Sequence, residues 1–210
     1  MSHPASRNRA ILLVGPTGSG KTPLGDLIER RGLWQARCLH FDFGATLRKI
    51  VQRDRPDEWL GRKQIDFLKD VLQTGALLEN ERFLVAERLL RRFLAGRDAD
   101  PPTVLVLNGL PRHAGQAHDV DAILDVQAVI SLRCSAETVA ERIRGNVGGD
   151  RTGRADDDPR SIAQKLALFD ARTAPLLDHY RARHAQVRVL VVTATMTADE
   201  MWQALEGQGP

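Results

Sequence analysis

The stretch Ile11–Thr22 (ILLVGPTGSGKT) constrains what this 210-residue chain can fold into more than any other. Its apolar start, Ile11 to Val14, has the composition of a buried strand, and Leu24 to Arg31 reads as a helix. Between them Gly15-Pro16-Thr17-Gly18-Ser19-Gly20-Lys21-Thr22 satisfies G-x-x-x-x-G-K-[ST]. Strand, glycine loop and helix N-terminus, in that order, form the setting in which this motif cradles phosphate. Glycines let successive backbone N–H groups turn inward, and the helix end adds partial positive charge. Lys21 then reaches the β- and γ-phosphates of a nucleoside triphosphate, and the Thr22 hydroxyl ligates Mg²⁺. Pro23 sits just inside the helix, where its missing N–H leaves nothing unsatisfied.

The rest of the composition narrows the setting. The length suits one α/β domain with a real core. Hydrophobic residues make up 42% and charged residues 27%, ordinary for a soluble protein. No apolar run reaches the length of a membrane span, and Met1–Ala10 lacks the apolar segment of a signal peptide. Cys38 and Cys134 lie far apart without metal-like spacing, which suits a reducing cytoplasm. The net charge is +3 and arginine supplies 25 of the 30 cationic residues. With no long basic run and little aromatic interleaving, nucleic acid is the weakest partner, whereas arginine suits phosphate clamping. A cytoplasmic monomer acting on small molecules, with no membrane or nucleic-acid partner, is expected.

Periodicity predicts alternating strands and helices. Strands are expected at Arg37–Phe43, Thr103–Leu107, Ala128–Leu132 and Val187–Val192. Helices are expected at Gly44–Gln52, Pro56–Asp70, Asn80–Leu94, Gln116–Leu124, Ala136–Arg144 and Ala198–Leu205. Arg160–Arg183 reads as a long helix with a kink near Pro175, and Gly145–Asp158 as a mobile surface loop. This order implies an α/β fold, a parallel sheet of five strands with helices on both faces. Ligands then gather at the carboxyl ends of the strands. Those ends carry Gly15–Thr22, Asp42–Gly44 and Asn108–Arg112.

These motifs, in this order, resemble the adenylate kinase family of nucleoside monophosphate kinases. The glycine loop is similar to the family's G-x-P-G-S-G-K. Phe43-Gly44-Ala45-Thr46-Leu47-Arg48 resembles T-G-D-x-L-R, and Gly75-Ala76-Leu77-Leu78 resembles G-x-L-V. Asn108-Gly109-Leu110-Pro111-Arg112, with Gln116, resembles D-G-F-P-R-x-x-x-Q, and Thr152–Asp157 resembles S-G-R-x-D-D. The resemblance implies a P-loop NTPase fold in one domain over 1–210, with a monophosphate-binding helical insertion at about 44–95 and a short lid at about 145–158. It implies ATP and Mg²⁺ as cofactors and a nucleoside monophosphate as acceptor. Arg48 and Arg112 would clamp the acceptor phosphate, Gln116 would read the base, and Phe43, Gly44, Leu77, Leu78 and Gly109 would line that pocket. Arg142 and Arg154 would close over the donor phosphates, and Lys165 stands where the family usually has another arginine.

Departures from the pattern carry their own expectations. Ala45 and Asn108 replace two family aspartates that organise Mg²⁺, which leaves Asp42, on the same strand end, as the candidate carboxylate beside Thr22. A turn-forming role for Asp42 weighs equally. Phe43 replaces a base-contacting threonine or serine, so adenine preference is not implied. Asn146 stands where a second lid arginine is expected, with Arg144 or Arg151 as replacements. A kinase of another small metabolite on the same fold, or a nucleotide-binding regulator, are the alternatives. His40 and His113 are expected to be structural.

Overall fold

A computed structural model describes residues 7–56, 58–74, 83–97, 102–152 and 157–209. Five parallel strands, β1 (Asn8–Val14), β2 (Cys38–Asp42), β3 (Val104–Asn108), β4 (Leu124–Arg133) and β5 (Gln186–Val191), lie in the order β2-β3-β1-β4-β5. Their helices are α1 (Lys21–Arg31), α2 (Phe43–Arg53), α3 (Arg62–Thr74), α4 (Phe83–Ala95), α5 (Ala114–Ile123), α6 (Ala136–Arg144), α7 (Pro159–Leu168), α8 (Leu176–Ala182) and α9 (Ala198–Glu206). This is the expected parallel α/β sheet. No helix among the described residues is long and apolar enough to cross a membrane.

The unbroken apolar run in β1 follows from burial on both faces of the sheet. Ala10, Leu12 and Val14 join a core with Phe41, Leu107, Leu176 and Tyr180, to which α2, α3, α4, α5 and α8 contribute. Ile11 and Leu13 point the other way, into a second core with Leu24 and Ile28 of α1 and Met201 and Leu205 of α9. In register, Leu13 of β1 and Asp42 of β2 both pair with Asn108 of β3. Two of the polar strand ends singled out in the sequence are therefore neighbours.

One helical expectation needs correction, and the kink expected near Pro175 takes a particular form. Pro56–Asp70 does not form one helix, because α3 begins only at Arg62, after Gly61, and Trp59 is 47% exposed. In Arg160–Arg183 the kink expected near Pro175 is a π-helical turn, Phe169–Thr173. There the Ala174 N–H reaches back to the Phe169 carbonyl at 2.9 Å. A proline ring crowds the carbonyl four residues earlier, and the widened turn accommodates it. Gly75 and the start of the helix expected over Asn80–Leu94 lie outside the described residues.

One close approach fixes α1 on the sheet. His40 of β2 is buried, its Nδ1 lies 2.9 Å from Asp26 Oδ1, and Glu29 Oε2 accepts its backbone N–H at 3.0 Å. Both histidines expected to be structural, His40 and His113, are buried. A Cβ on Gly25 would fall 2.2 Å from His40 Nε2, so only glycine fits there without movement. Gly25→Ala should therefore lower the unfolding free energy by about 1–3 kcal/mol. In denaturant melts, adding His40→Ala should recover part of that loss, and strict additivity of the two substitutions would contradict the contact.

Candidate active site

Phosphate-loop geometry starts from the backbone. Gly18 and Gly20 have φ of 73° and 94°, the left-handed region that side chains avoid, so the loop needs glycine at both. Lys21 opens α1 and folds back over the loop, donating to the carbonyls of Gly15 and Pro16 at 2.7 Å each. Ser19, fully buried, places Oγ 3.4 Å from the same ammonium. Burial, followed by the nearby Arg112 charge, draws Lys21 down to about 8 from its ordinary 10.5.

At the adjoining strand ends the Thr22 hydroxyl donates to Asp42 Oδ2 at 2.6 Å. Asn108 Nδ2 donates to the same oxygen at 2.8 Å and to Thr22 Oγ1 at 3.2 Å. Asp42 Oδ1 accepts the Ala45 N–H at 2.7 Å and so caps α2. The turn-forming role weighed for Asp42 is met by Oδ1, while Oδ2 faces Thr22 and Asn108.

One cavity of about 220 Å³ collects most of the expected residues. Gly15, Thr17, Gly18, Gly20, Lys21 and Thr22 form one wall, and Pro16 and Ser19 stand behind it. Asp42, Phe43, Gly44, Arg48, Gly109, Arg112, Gln116 and Lys165 form the others. Burial pulls the Arg112 guanidinium down to about 10, still cationic at neutral pH. Its peptide is fixed on both sides: Gln116 Oε1 accepts the Arg112 N–H at 2.8 Å, and Thr173 Oγ1 donates to its carbonyl at 2.8 Å. Gln116, expected to read a base, is thus 1% exposed with that oxygen engaged. Phe43 is 4% exposed and tilts against Phe41, ring centroids 6.2 Å apart.

Arg142 differs from its expected place. It does not line the cavity but is 3% exposed, with Nε on the Gly18 carbonyl at 3.1 Å. Its Nη1 reaches the carbonyls of Thr193 at 2.8 Å and Met196 at 2.7 Å. It braces the phosphate loop against the segment before α9. Leu77, Leu78 and Arg154 lie outside the described residues. Sequence reading passed over Thr173 and Phe169, on the π-helical turn, which also line the cavity. Phe169 fits the helical periodicity of its stretch, and no motif marks either residue. Arg151, one of two suggested replacements in the loop expected over Gly145–Asp158, lines it too.

Comparison with known proteins gives the chain its relatives. Residues 11–163 match the AAA domain family. An adenylate kinase of Stenotrophomonas maltophilia is 32% identical over 187 residues, 85% of this chain and 89% of the relative. One of Xanthomonas oryzae is 32% identical over 190 residues, with the same coverage. One of Haloarcula marismortui is 26% identical over 225 residues, covering 95% of both chains.

Lys21 gives this site a pH signature. Between about 8 and 10.5 the folded chain has lost this proton while the unfolded chain keeps it. Stability from this group therefore rises with pH across that window, because the unfolded state binds more protons. Anion binding runs the other way, since only the ammonium pairs with phosphate. Near pH 9, binding a nucleoside triphosphate should draw in up to about one proton, seen by calorimetry in buffers of different ionisation enthalpy. Lys21→Met should show no such uptake, and equal uptake in both proteins would contradict the assignment.

Proposed function

This chain belongs to the adenylate kinase family, and from that premise we propose that it transfers the γ-phosphate of ATP to a nucleoside monophosphate. The observation that carries the proposal is the shared cavity. The phosphate loop with Lys21 stands on one wall, and Arg48 and Arg112 stand on another.

Phosphoryl transfer asks little covalent chemistry of a protein and much positioning and charge neutralisation. The acceptor phosphate is already an anion at neutral pH, so no general base is needed. Arg48 and Arg112 present planar, forked donors to it, while Lys165 supplies a point charge. The clamp on both sides of the Arg112 peptide fixes the root of that arm. On the family pattern, Arg154 would serve the donor phosphates, and Leu77 and Leu78 the acceptor. Closure of the lid segment keeps water from the γ-phosphate and so limits hydrolysis.

The donor set fits Mg²⁺, which keeps several waters and binds through one or two protein oxygens plus phosphate. Thr22 Oγ1 and Asp42 Oδ2 would hold it, while the Asn108 amide steers the carboxylate. Bound there, the ion would neutralise charge on the phosphates. One observation favours a second acceptor class, another small phosphorylated metabolite. Phe43 is spent in the core and Gln116 Oε1 on the Arg112 backbone, which leaves fewer groups to read a base.

The test is a transfer assay with ATP and Mg²⁺ against AMP, GMP, CMP, UMP and their deoxy forms, with nucleotides separated and counted. One monophosphate should raise ADP formation above the acceptor-free control. ATP binding without stimulation by any of them would move the assignment to another acceptor. Lys21→Met and Arg112→Ala should each cut transfer by about 10²–10⁴-fold while the melting curve stays near wild type. Asp42→Asn keeps a good helix cap but loses the charge, so it should raise the Mg²⁺ requirement about tenfold or more at little cost in stability. An unchanged Mg²⁺ titration in that variant would remove Asp42 from the metal site.

A further inference from the structure

The family pattern places a lid arginine at position 146, and this chain has asparagine there. The structure shows what that asparagine does. Asn146 adopts φ of 43°, a left-handed conformation that asparagine tolerates. Its Oδ1 accepts the Arg151 N–H at 3.1 Å, and its Nδ2 donates to Thr152 Oγ1 at 3.1 Å. The loop thus closes on itself and lies against α1, where a Cβ on Gly148 would fall 2.9 Å from Pro23 Cγ.

This turn carries the Arg151 side chain inward. It is only 7% exposed and lines the cavity beside Lys21, Thr17 and Gly18. Asp157 pairs with the guanidinium along one edge, Nε to Oδ2 at 2.8 Å and Nη2 to Oδ1. The same Nη2 lies 3.4 Å from Thr17 Oγ1 on the phosphate loop. Two other described arginines near this segment are placed differently. Arg142 is committed to carbonyls, and Arg144 is exposed and away from the cavity. The guanidinium thus stands at the cavity wall, oriented by Asp157 and next to the phosphate loop.

We propose that Arg151 binds the donor phosphates of ATP, supplying from a different point in the loop the charge that Asn146 lacks. Asn146 positions its backbone and Asp157 orients its guanidinium. This inference rests on the kinase reading above, and the test separates the two.

Affinities for ATP, ADP and adenosine would be measured by calorimetry for wild type, Arg151→Met, Arg151→Lys and Arg144→Met, with transfer assayed on the same preparations. Loss of a charge-assisted, fork-like contact should weaken ATP about ten- to a hundred-fold in Arg151→Met. ADP should weaken as well, adenosine should not change, and Arg151→Lys should recover only part of the loss. Arg144→Met should match wild type. Unchanged ATP affinity in Arg151→Met overturns the inference, and so does an equal loss for ATP and adenosine, which would mark a structural role. Asn146→Ala, which leaves the guanidinium but frees its backbone, should shift ATP in the same direction by a smaller factor. No shift there removes Asn146 from the proposal. A wild type that binds ATP but phosphorylates no monophosphate refutes transfer to a nucleoside monophosphate, while the ATP-to-adenosine comparison still decides Arg151. A wild type that binds no ATP refutes both.

Discussion

The carboxylate of Asp42 is the point on which the site depends. One oxygen draws in the hydroxyl that follows the phosphate-loop lysine and the amide at the end of β3. The other holds the first turn of α2. Three chain segments that are distant in sequence are thereby fixed around two oxygens. A neutral side chain of the same shape keeps the cap but weakens the bonds from Thr22 and Asn108, because charge-assisted hydrogen bonds are roughly twice as strong.

The parallel sheet makes this convergence possible. With β3 between β1 and β2, Asn108 lies in register with Asp42 on one side and Leu13 on the other. The last paired residues therefore bring the start of the phosphate loop and the start of α2 to the same edge. The two apolar cores above and below the strands hold that edge rigid, since close-packed interiors resist deformation. Loops then carry the variable chemistry on a fixed frame.

How legible this was depended on the kind of signal. Strands buried on both faces announce themselves as short apolar runs, and Val104–Asn108 and Gln186–Val191 fall within a residue of where composition put them. The glycine loop was legible because its motif encodes backbone geometry directly. Arg142 was not, because a buried arginine satisfied by carbonyls looks in sequence like one meant for a ligand. The π-helical turn was hidden because Leu168, Phe169 and Leu176 keep the helical pattern across it; only Pro175 hinted at a break. Arg151 was half legible. Its sequence offers a cation, but only Asn146 in a left-handed turn explains why that cation faces inward.

The bracing of the phosphate loop by Arg142 has a consequence for how the loop meets an anion. A peptide backbone offers both signs, and its carbonyl oxygens repel phosphate as surely as its amides attract it. Here the Gly18 carbonyl is taken by Arg142, and those of Gly15 and Pro16 by Lys21. The protein's own cations thus occupy the repulsive half of the loop. Of the two, Arg142 holds its carbonyl from outside the cavity, where an arriving nucleotide has no means of competing for it. The anion therefore meets a backbone already sorted by polarity, with one of its negative ends permanently turned toward the protein interior.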